Sequence, residues 1–468
     1  MVKALLVILL MGIMPLSGQE DYLYRLKIIP GKGIRVSLVL PPGFDPVFLL
    51  GDERGRERMD GLMLRGRDGR ARYPLVAGDR MELGDAQPGD TLSYFFHITR
   101  SEKKIRGLGY RRGMLQLSLP LLLWRPALTG RGQATWLEVE APPGWEHSFP
   151  GRRRGNRYRL NPLSHDWPAA AVVGPIRQQE LGVMGIRFRL SGPESISTTD
   201  MEKLSRWIED NVRSVAGLYG SLPQKEVQIL FVPTSAAQPV PFALVLRGGG
   251  ATIRFYINPR FSLEKFMADW TAPHEISHLL LPFVRRGDAW FSEGLATYYQ
   301  YILMARDGRL SEQEAWQRIY AGFEKGRRGR EEGKSLAVTS REMGRRRAYS
   351  TVYWSGAAFF LRLDVALRSS GISPGGLDDA VGSLAPLLAS QRDVYTCTDL
   401  IDYLDEHFDT AVFSRLYRRF VLSGTFPVDE AFLKSLGVGI RDGRVALNDR
   451  APLASIRRTI MKAAKPKF

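Results

Sequence analysis

Two histidines and a glutamate give the clearest chemical pattern in this sequence of 468 residues. His274 and His278 are four residues apart in the stretch HEISH, and Glu275 directly follows the first histidine. On a helix this spacing puts both imidazoles on one face, where they can bind one Zn²⁺ ion. Glu275 can then act as general base on a water molecule whose pKa zinc lowers toward about 7. A helix with two unrelated histidines is the alternative interpretation.

A third metal ligand is required, because catalytic zinc usually has three protein ligands and one open position. Glu293 is the candidate, since Pro282 and Gly287 end the first helix and let the chain turn back. Glu293 then opens a second helix and can face the histidines. Thr297 lies one turn further on the same helical face, either hydrogen-bonding the ligands from behind or serving as an ordinary helix residue. We expect one Zn²⁺ ion per chain.

The elements that must position these residues follow different sequence patterns along the chain. Short apolar runs between Gly and Pro turn signals predict an antiparallel, sandwich-like β domain over 19–190. Strand patterns followed by helix patterns predict an α+β domain over 191–373, with residues 198–200 as N-cap candidates of its first helix. Residues 262–283 are predicted as one helix, with a bend near its middle. Helix patterns dominate 374–468 and predict a helical domain.

The N-terminus has the pattern of a secretory signal peptide over residues 1–18. Lys3 precedes an apolar stretch too short for a bilayer span, and cleavage is expected near Gly18. An uncleaved membrane anchor is the alternative. Cys397 is the single cysteine, so no intramolecular disulfide can form. We expect an exported protein, periplasmic or extracellular, with no transmembrane span after signal removal.

The net charge of +17 predicts a surface that attracts anions. Two basic clusters, at 151–159 and 324–334, read as loops. They lack the interleaved aromatic side chains of a nucleic-acid-binding face, so no nucleic-acid partner is expected. The hydrophobic fraction of 44% is ordinary for a globular protein and excludes a disordered chain.

The stretch WFSEGLATYY, from Trp290 to Tyr299, adds a family resemblance to the HEISH motif. Together they resemble the gluzincin metallopeptidases, in which a glutamate in a W-x-x-E-G-x-A-x-Y context completes HExxH. Within that clan the chain is similar to the aminopeptidase N and glycyl aminopeptidase groups, with a shorter gap before Glu293 than in the aminopeptidase N group. The resemblance implies a multidomain α+β protein whose thermolysin-like domain hydrolyses peptide or protein substrates with zinc.

The resemblance also implies a tyrosine that stabilises the oxyanion of the reaction. Tyr353 lies 60 residues after Glu293, in the context YWSGA that matches the family pattern. A phenol suits this role because it is a neutral donor that can point at developing negative charge. Tyr349, one turn earlier, is a weaker candidate, and a packed helix tyrosine is the alternative for Tyr353.

The stretch before HEISH departs from the aminopeptidases of this clan. They hold the free α-amine of the substrate with a glutamate on a glycine-rich edge strand. The corresponding stretch here has Gly248, Gly249 and Gly250, but no acidic residue occurs from 232 to 262. We expect this glycine strand to bind the substrate backbone by strand addition, without strict aminopeptidase specificity. Arg247 is a candidate to favour an acidic group of the substrate.

A second hypothesis belongs to another functional class. The chain could be a non-catalytic basic envelope protein that uses a gluzincin scaffold to bind an anionic polymer or a protein partner. Three metal ligands, an intact general base and a matching tyrosine favour the enzyme, because a binding scaffold needs none of them together.

Overall fold

The protein is described by a computed structural model, which covers residues 21–98, 107–128, 133–161, 167–218, 220, 222–389 and 394–462. The predicted signal peptide at 1–18 lies outside these residues.

The chain forms two compact units. The first takes in the described residues within 1–103, 120–140 and 153–165, and the second takes in those within 104–119, 141–152 and 166–468. The domain boundaries predicted at 190 and 373 stay predictions.

The N-terminal half of the chain is built almost entirely of strands. In chain order these are β1 Tyr22–Ile29, β2 Gly33–Val39, β3 Val47–Leu50, β4 Met59–Arg65, β5 Ala71–Arg72, β6 Leu75–Ala77, β7 Arg80–Glu82, β8 Thr91–His97, β9 Gly109–Arg111, β10 Met114–Ser118, β11 Trp124–Pro126, β12 Thr135–Glu140, β13 Glu146–Ser148, β14 Arg152–Arg154, β15 Arg157–Leu160 and β16 Ala170–Gly174. A short helix, α1 Leu119–Leu122, lies among them.

The first unit contains two sheets. One has eight strands in the order β14-β15-β12-β1-β2-β8-β4-β5, and the other has four in the order β11-β3-β7-β6. Alternate side chains of β1, among them Tyr24 and Leu26, are buried, as expected of strands with one face on a core. The expected antiparallel β domain is confirmed, with one parallel pair between β1 and β12. The basic cluster at 151–159 forms β14 and β15 with a turn at Gly155, not a loop.

The second unit holds the sheet that supports the candidate site. Its strands are β17 Ile176–Val183, β18 Ile186–Pro193, β19 Glu226–Pro233, β20 Phe242–Leu246 and β21 Thr252–Ile257, in the order β17-β18-β19-β21-β20. The inner strands β18, β19 and β21 are parallel, whereas β20 pairs antiparallel with β21. No described strand pairs with the other edge of β20, which is therefore the open edge of this sheet. A separate sheet of this unit has the order β13-β16-β10-β9.

Helix α2, Thr198–Ala216, lies between β18 and β19 in the chain and packs on this sheet through an apolar face. Trp207 on that face is fully buried and contacts Phe255 of β21 edge to face. Ser197 is the N-cap, and its hydroxyl accepts a hydrogen bond from the backbone N–H of Asp200 at 3.0 Å. The cap therefore lies one residue before the predicted candidates at 198–200.

The helices that carry the candidate site follow β21. They are α3 Leu263–Met267, α4 Thr271–Ser277, α5 Ala289–Arg306, α6 Glu312–Arg328, α7 Leu336–Arg341, α8 Met343–Arg346 and α9 Tyr349–Ser369. The single helix predicted over 262–283 is wrong. The chain leaves the helical ladder between Met267 and Thr271, and α4 ends in a tighter 3₁₀ turn at His278–Leu280.

The C-terminal region is helical, as expected. Its elements are α10 Leu377–Ser383, α11 Ala385–Ala389, α12 Cys397–His407, α13 Val412–Phe420, α14 Glu430–Ser435, the hairpin of β22 Val438–Arg441 and β23 Arg444–Leu447, and α15 Ala454–Ile460. Buried side chains of these helices join those of the β17–β21 sheet and of α2 to α9 in one hydrophobic cluster. Among the described residues, no helix is both long and apolar enough to cross a membrane.

Candidate metal centre

The structure brings the three predicted metal ligands together. His274 lies on α4, His278 begins the 3₁₀ turn after it, and Glu293 lies in the second turn of α5. Glu293 Oε2 is 3.3 Å from His274 Nε2 and 3.6 Å from His278 Nε2, and one ligand atom from each residue lies within 4.8 Å of the others. Ligands about 2.1 Å from a tetrahedral zinc ion are about 3.4 Å apart, so these residues fit a zinc ion.

The close approach of two helices fixes where Glu293 lies. Gly294 of α5 and Gly356 of α9 touch backbone to backbone, since a Cβ atom on Gly294 would lie 2.6 Å from Gly356 Cα. A Cβ atom on Gly356 would lie 2.2 Å from the carbonyl oxygen of Trp290. Both distances are shorter than any real contact, so glycine is needed at this crossing. The crossing also brings Tyr353, three residues before Gly356, beside the ligands.

A hydrogen bond from α5 orients the first histidine. Gln300 lies two helical turns after Glu293, and its Oε1 is 3.0 Å from His274 Nδ1, in a buried environment. With Nδ1 as donor, Nε2 keeps its lone pair for the metal. Sequence reasoning missed Gln300, although a single amide in the apolar run YYQYILM is an available signal.

Thr297 does not support the ligands as predicted. Its hydroxyl is buried and has no hydrogen-bond partner among the described residues. It lines a small apolar cavity together with Trp316 and Trp354. The reason is geometric, because seven residues nearly complete two helical turns, whereas four residues overshoot one turn. Gln300 therefore takes the place that was expected of Thr297.

The general-base candidate Glu275 is buried next to the ligands. Only 7% of its surface is exposed, and it lines the same cavity as the three ligands. Burial raises the pKa of Glu275, and the two imidazoles oppose this shift. For Glu293, burial also raises the pKa, but His278 and His274 overcome it and hold that pKa well below its usual range. The two carboxyl groups thus differ in basicity although they are neighbours.

Tyr353 stacks beside the metal ligands. Its ring is 6.1 Å from that of His274, with 21° between the ring planes. Burial, followed by the nearby Glu293 and Glu275 carboxylates, raises the pKa of Tyr353 well above its usual value. The phenol therefore stays protonated and can donate a hydrogen bond. Tyr349, one turn earlier on α9, also lines the cavity but is 46% exposed.

The site opens into a cavity of about 640 Å³. Four residues of the open-edged strand β20, from Phe242 to Val245, form one wall, and residues 281–284 form another. Trp270 and the ligand-bearing helix α4 complete it. The cavity thus places an unpaired strand edge next to the ligands, where an extended chain can add to the sheet.

The glycines predicted to bind substrate do not line this cavity. A Cβ atom on Gly248 would lie 2.5 Å from the carbonyl oxygen of Trp167, and one on Gly250 would lie 2.4 Å from the backbone nitrogen of Gly151. Gly249 and Gly250 have φ values of +73° and +150°. The three glycines therefore form a tight turn packed against neighbouring backbone, and the cavity wall comes from the preceding strand β20 and Arg247.

Arg247 reaches from the end of β20 to the 3₁₀ turn that begins at His278. Its Nη2 donates a hydrogen bond to the carbonyl oxygen of His278. Burial lowers the pKa of Arg247 to about 10, and no carboxylate of the described residues offsets this shift. The side chain therefore stays charged at neutral pH inside the cavity.

Comparisons with known proteins identify the fold. No family model matches the chain, and no curated protein matches it. Solved structures of zinc metallopeptidases of the M1 class share the fold, which confirms the expected resemblance to the aminopeptidase N group and the expected multidomain α+β architecture. The likeness to glycyl aminopeptidases stays a prediction.

Three of these structures show the extent of the likeness. An aminopeptidase N family protein from Idiomarina loihiensis has a TM-score of 0.68 at 14% identity, over 92% of this chain and 82% of that chain. An M1 zinc metallopeptidase from Deinococcus radiodurans has a TM-score of 0.56 at 16% identity, over 88% and 95%. Native yeast LTA4 hydrolase has a TM-score of 0.58 at 12% identity, over 90% and 70%. Identities this low establish the shared fold alone.

Proposed function

We propose that the protein is a zinc-dependent metallopeptidase that hydrolyses peptide bonds. His274, His278 and Glu293 hold one zinc ion, Glu275 is the general base, and Tyr353 stabilises the oxyanion. The observation that carries the proposal is the meeting of these five side chains at one end of a cavity whose wall is an open strand edge.

Each of these five residues has a defined role in the proposed reaction. A bound zinc ion supplies Lewis acidity, which lowers the pKa of water toward about 7 and polarises a carbonyl group. Glu275 accepts a proton from the attacking water as its oxygen bonds to the scissile carbonyl carbon. Tyr353 donates its O–H to the carbonyl oxygen as that oxygen gains negative charge. Glu275 then gives the proton to the departing nitrogen, the C–N bond breaks, and an acid and an amine remain.

The substrate of the proposed enzyme is an extended peptide or protein segment. The open edge of β20 offers unpaired backbone groups along the cavity, and a peptide strand can pair with them. A mutant of the Deinococcus radiodurans protein has been crystallised with a Tyr-Ser-Ala substrate, which supports this choice. Because β20 and its flanks carry no acidic residue, we propose cleavage without a strict need for a free N-terminus.

The proposed location is outside the cytoplasm, in a periplasm or the extracellular space. The support is the signal-peptide pattern over residues 1–18. N-terminal sequencing of the protein from the periplasmic or culture fraction tests this proposal. A mature chain that starts near residue 19 supports it, and an intact Met1 in the cytosolic fraction contradicts it.

A comparison of two glutamate variants tests the proposed activity. The wild-type protein, loaded with zinc, should cleave members of a peptide library that contains free and blocked N-termini. Glu275→Gln should lower the rate about 10²- to 10⁴-fold, because it removes the general base but keeps the shape of the side chain. Glu264→Gln, at an exposed position of α3, should not change the rate.

The alternative function predicts a different result in the same experiment. A non-catalytic envelope protein that binds anionic polymers would cleave no library member. Its binding to such polymers would also be equal in the wild-type protein and in Glu275→Gln.

A further inference from the structure

Arg247 is a cation in a cavity whose other charged side chains are acidic. Among the described residues that line the cavity it is the only arginine or lysine, and the carboxylic acids are Asp269, Glu275 and Glu293. Glu275 and Glu293 belong to the metal centre. Asp269 accepts a hydrogen bond from the backbone N–H of Thr271 at 2.8 Å at the start of α4. None of the three forms an ion pair with Arg247.

The guanidinium of Arg247 is held in place but is not neutralised. Its Nη2 bonds to the His278 carbonyl, and its other N–H groups have no partner among the described residues. A carbonyl oxygen occupies one donor of the five that a guanidinium carries, and it does not cancel the charge. The hydrogen bond therefore aims the side chain and leaves most of its donors available to a ligand.

Three other arginines of the same unit, whose side chains are largely buried, pair with carboxylates. Arg306 is 2.9 Å from Asp378, Arg368 is 2.7 Å from Asp364, and Arg457 is 2.7 Å from Glu312. Each therefore has a carboxylate partner, as expected for charges removed from water. By contrast, no described residue forms an ion pair with Arg247, which lines the cavity.

We propose that Arg247 binds a carboxylate group of the substrate and so makes the site prefer peptides with negative charge. This inference rests on the proposed peptidase function and names the substrate class of that site. The carboxylate comes either from an acidic side chain or from a C-terminus close to the scissile bond. A planar guanidinium suits it, since two parallel N–H groups can donate to the two carboxylate oxygens.

The position of Arg247 agrees with this role. It directly follows β20, so a peptide paired along the edge of β20 runs toward the guanidinium at one end of the strand. Its contact with His278 keeps this end of the strand next to the metal ligands. Strand pairing is independent of side chains, so a charged group at the end of the strand is well placed to select among sequences.

A binding experiment with matched peptides tests this inference without relying on hydrolysis. The protein is full-length, zinc-loaded Glu275→Gln, with Arg247 intact, changed to Gln or changed to Lys. The probes are short alanine- and leucine-based peptides with one Glu at successive positions, each matched by a Gln peptide, and each made with a free or an amidated C-terminus. Calorimetry gives the dissociation constants, and Arg213→Gln, on the outer face of α2, is the control.

With Arg247 intact and in the control, one carboxylate position should bind about tenfold or more tighter than its neutral match. Arg247→Gln should reduce this ratio to about one, and Arg247→Lys should keep part of it because it keeps the charge. The position of the preferred group tells an acidic side chain from a C-terminus. Equal binding of all matched pairs with Arg247 intact, or a preference unchanged in Arg247→Gln, would overturn the inference.

Zinc content and hydrolysis separate the possible failures. If Arg247→Gln loses zinc or unfolds, the comparison of intact Arg247 with Arg247→Lys decides, and a preference that weakens in Lys supports the inference. If wild-type protein cleaves neutral peptides as well as acidic ones, the peptidase proposal stands and the role of Arg247 fails. If peptides bind with the carboxylate preference but none is cleaved by wild-type protein, the peptidase proposal fails and the role of Arg247 stands.

Discussion

At the scale of single residues, His274 depends on two side chains of α5. Glu293 faces its Nε2, and Gln300 holds its Nδ1 from two helical turns away. Partners of this kind fix the orientation and tautomer of a ligating histidine, and their loss typically costs about 10- to 100-fold in metal affinity. The metal centre therefore extends beyond its three ligands to a buried amide.

Variants of Gln300 and Thr297 give a matched test of whether the hydrogen bond from Gln300 supports zinc binding. Gln300→Leu should weaken zinc binding about 10- to 100-fold, because His274 loses its hydrogen bond inside the protein. Thr297→Val should leave zinc affinity unchanged, since the Thr297 hydroxyl has no hydrogen-bond partner to lose in the part of the chain that the structure describes. Competition with a chelator measures both affinities. A large loss in Thr297→Val, or none in Gln300→Leu, would contradict the structure.

Tyr353 can be tested against its neighbour on the same helix. Tyr353→Phe should lower kcat about 10²- to 10³-fold with little change in KM, because its hydrogen bond forms mainly in the transition state. Zinc content should stay the same. Tyr349→Phe, one turn earlier and half exposed, should keep most of the activity. Steady-state kinetics on one peptide decides, and a reversed order of the two variants would assign the oxyanion role to Tyr349.

Most residues of the candidate site could be predicted from the sequence, because their positions follow from local helix geometry. The spacing of His274 and His278, and the turn that returns Glu293, depend on helix periodicity and on Pro and Gly signals. Gln300, and the contact of Arg247 with the His278 carbonyl, depend on which side chains meet across elements, which one-dimensional spacing does not determine. Thr297 and Gln300 share a helical face, and only packing selects which of them contacts His274.

At the scale of elements, the crossing of α5 and α9 positions the whole site. Gly294 and Gly356 let the two helices touch, so Glu293 and Tyr353 reach the same point from different helices. Both glycines lie inside helices, where glycine costs roughly 0.5–1 kcal/mol relative to alanine. That cost is offset by the close packing that the missing Cβ atoms allow.

Gly294→Ala should therefore destabilise the protein, although alanine favours a helix. A Cβ atom 2.6 Å from Gly356 forces the helices apart, and overpacking of this kind costs about 1–3 kcal/mol or more. Gly344→Ala is the control, because the nearest atom to its Cβ is 4.0 Å away. Urea unfolding compares the two. Equal stability of Gly294→Ala and the wild-type protein would show that the helices are not in contact here.

The bounds of helices and strands were harder to predict than the site residues, because tertiary packing overrides the local sequence pattern in two regions. The stretch 262–283 reads as one amphipathic helix, yet it divides into α3, α4 and a 3₁₀ turn around the ligands. Gly248 to Gly250 read as a substrate-binding strand, but neighbouring backbone fills the space around them. The existence of helices and strands was predictable in both regions, whereas their ends and neighbours depend on distant residues.

At the scale of the whole molecule, the second unit is held by a core that runs from its sheet to its last helices. Cys397, at the start of α12, belongs to that core and is 2% exposed. Its backbone N–H donates to Asp288 at 3.0 Å, just before α5. The C-terminal helices thus support the loop that returns Glu293 to the histidines. The helical character of this region was predictable from its periodicity, but its shared core was not.

The reactivity of the Cys397 thiol measures whether this core is closed around α12. Burial, aided by the Asp288 carboxylate, raises the pKa of the Cys397 thiol to about 12, so the reactive thiolate is scarce at neutral pH. Native protein at pH 8 should react with iodoacetamide far more slowly than urea-unfolded protein, and the native rate should rise as pH approaches the raised pKa. Intact mass spectrometry follows the reaction. Native labelling as fast as in urea would mean that α12 does not cover the thiol.

The zinc content of the purified protein and of two ligand variants tests the metal centre most directly. The structure predicts about one zinc ion per chain in the wild-type protein and in the control His407→Ala, whose imidazole stacks on Tyr403 away from the cavity. His274→Ala and Glu293→Ala should lose nearly all of the zinc. Wild-type protein without zinc, or both ligand variants with full zinc, would contradict the assignment of His274, His278 and Glu293 as the metal centre.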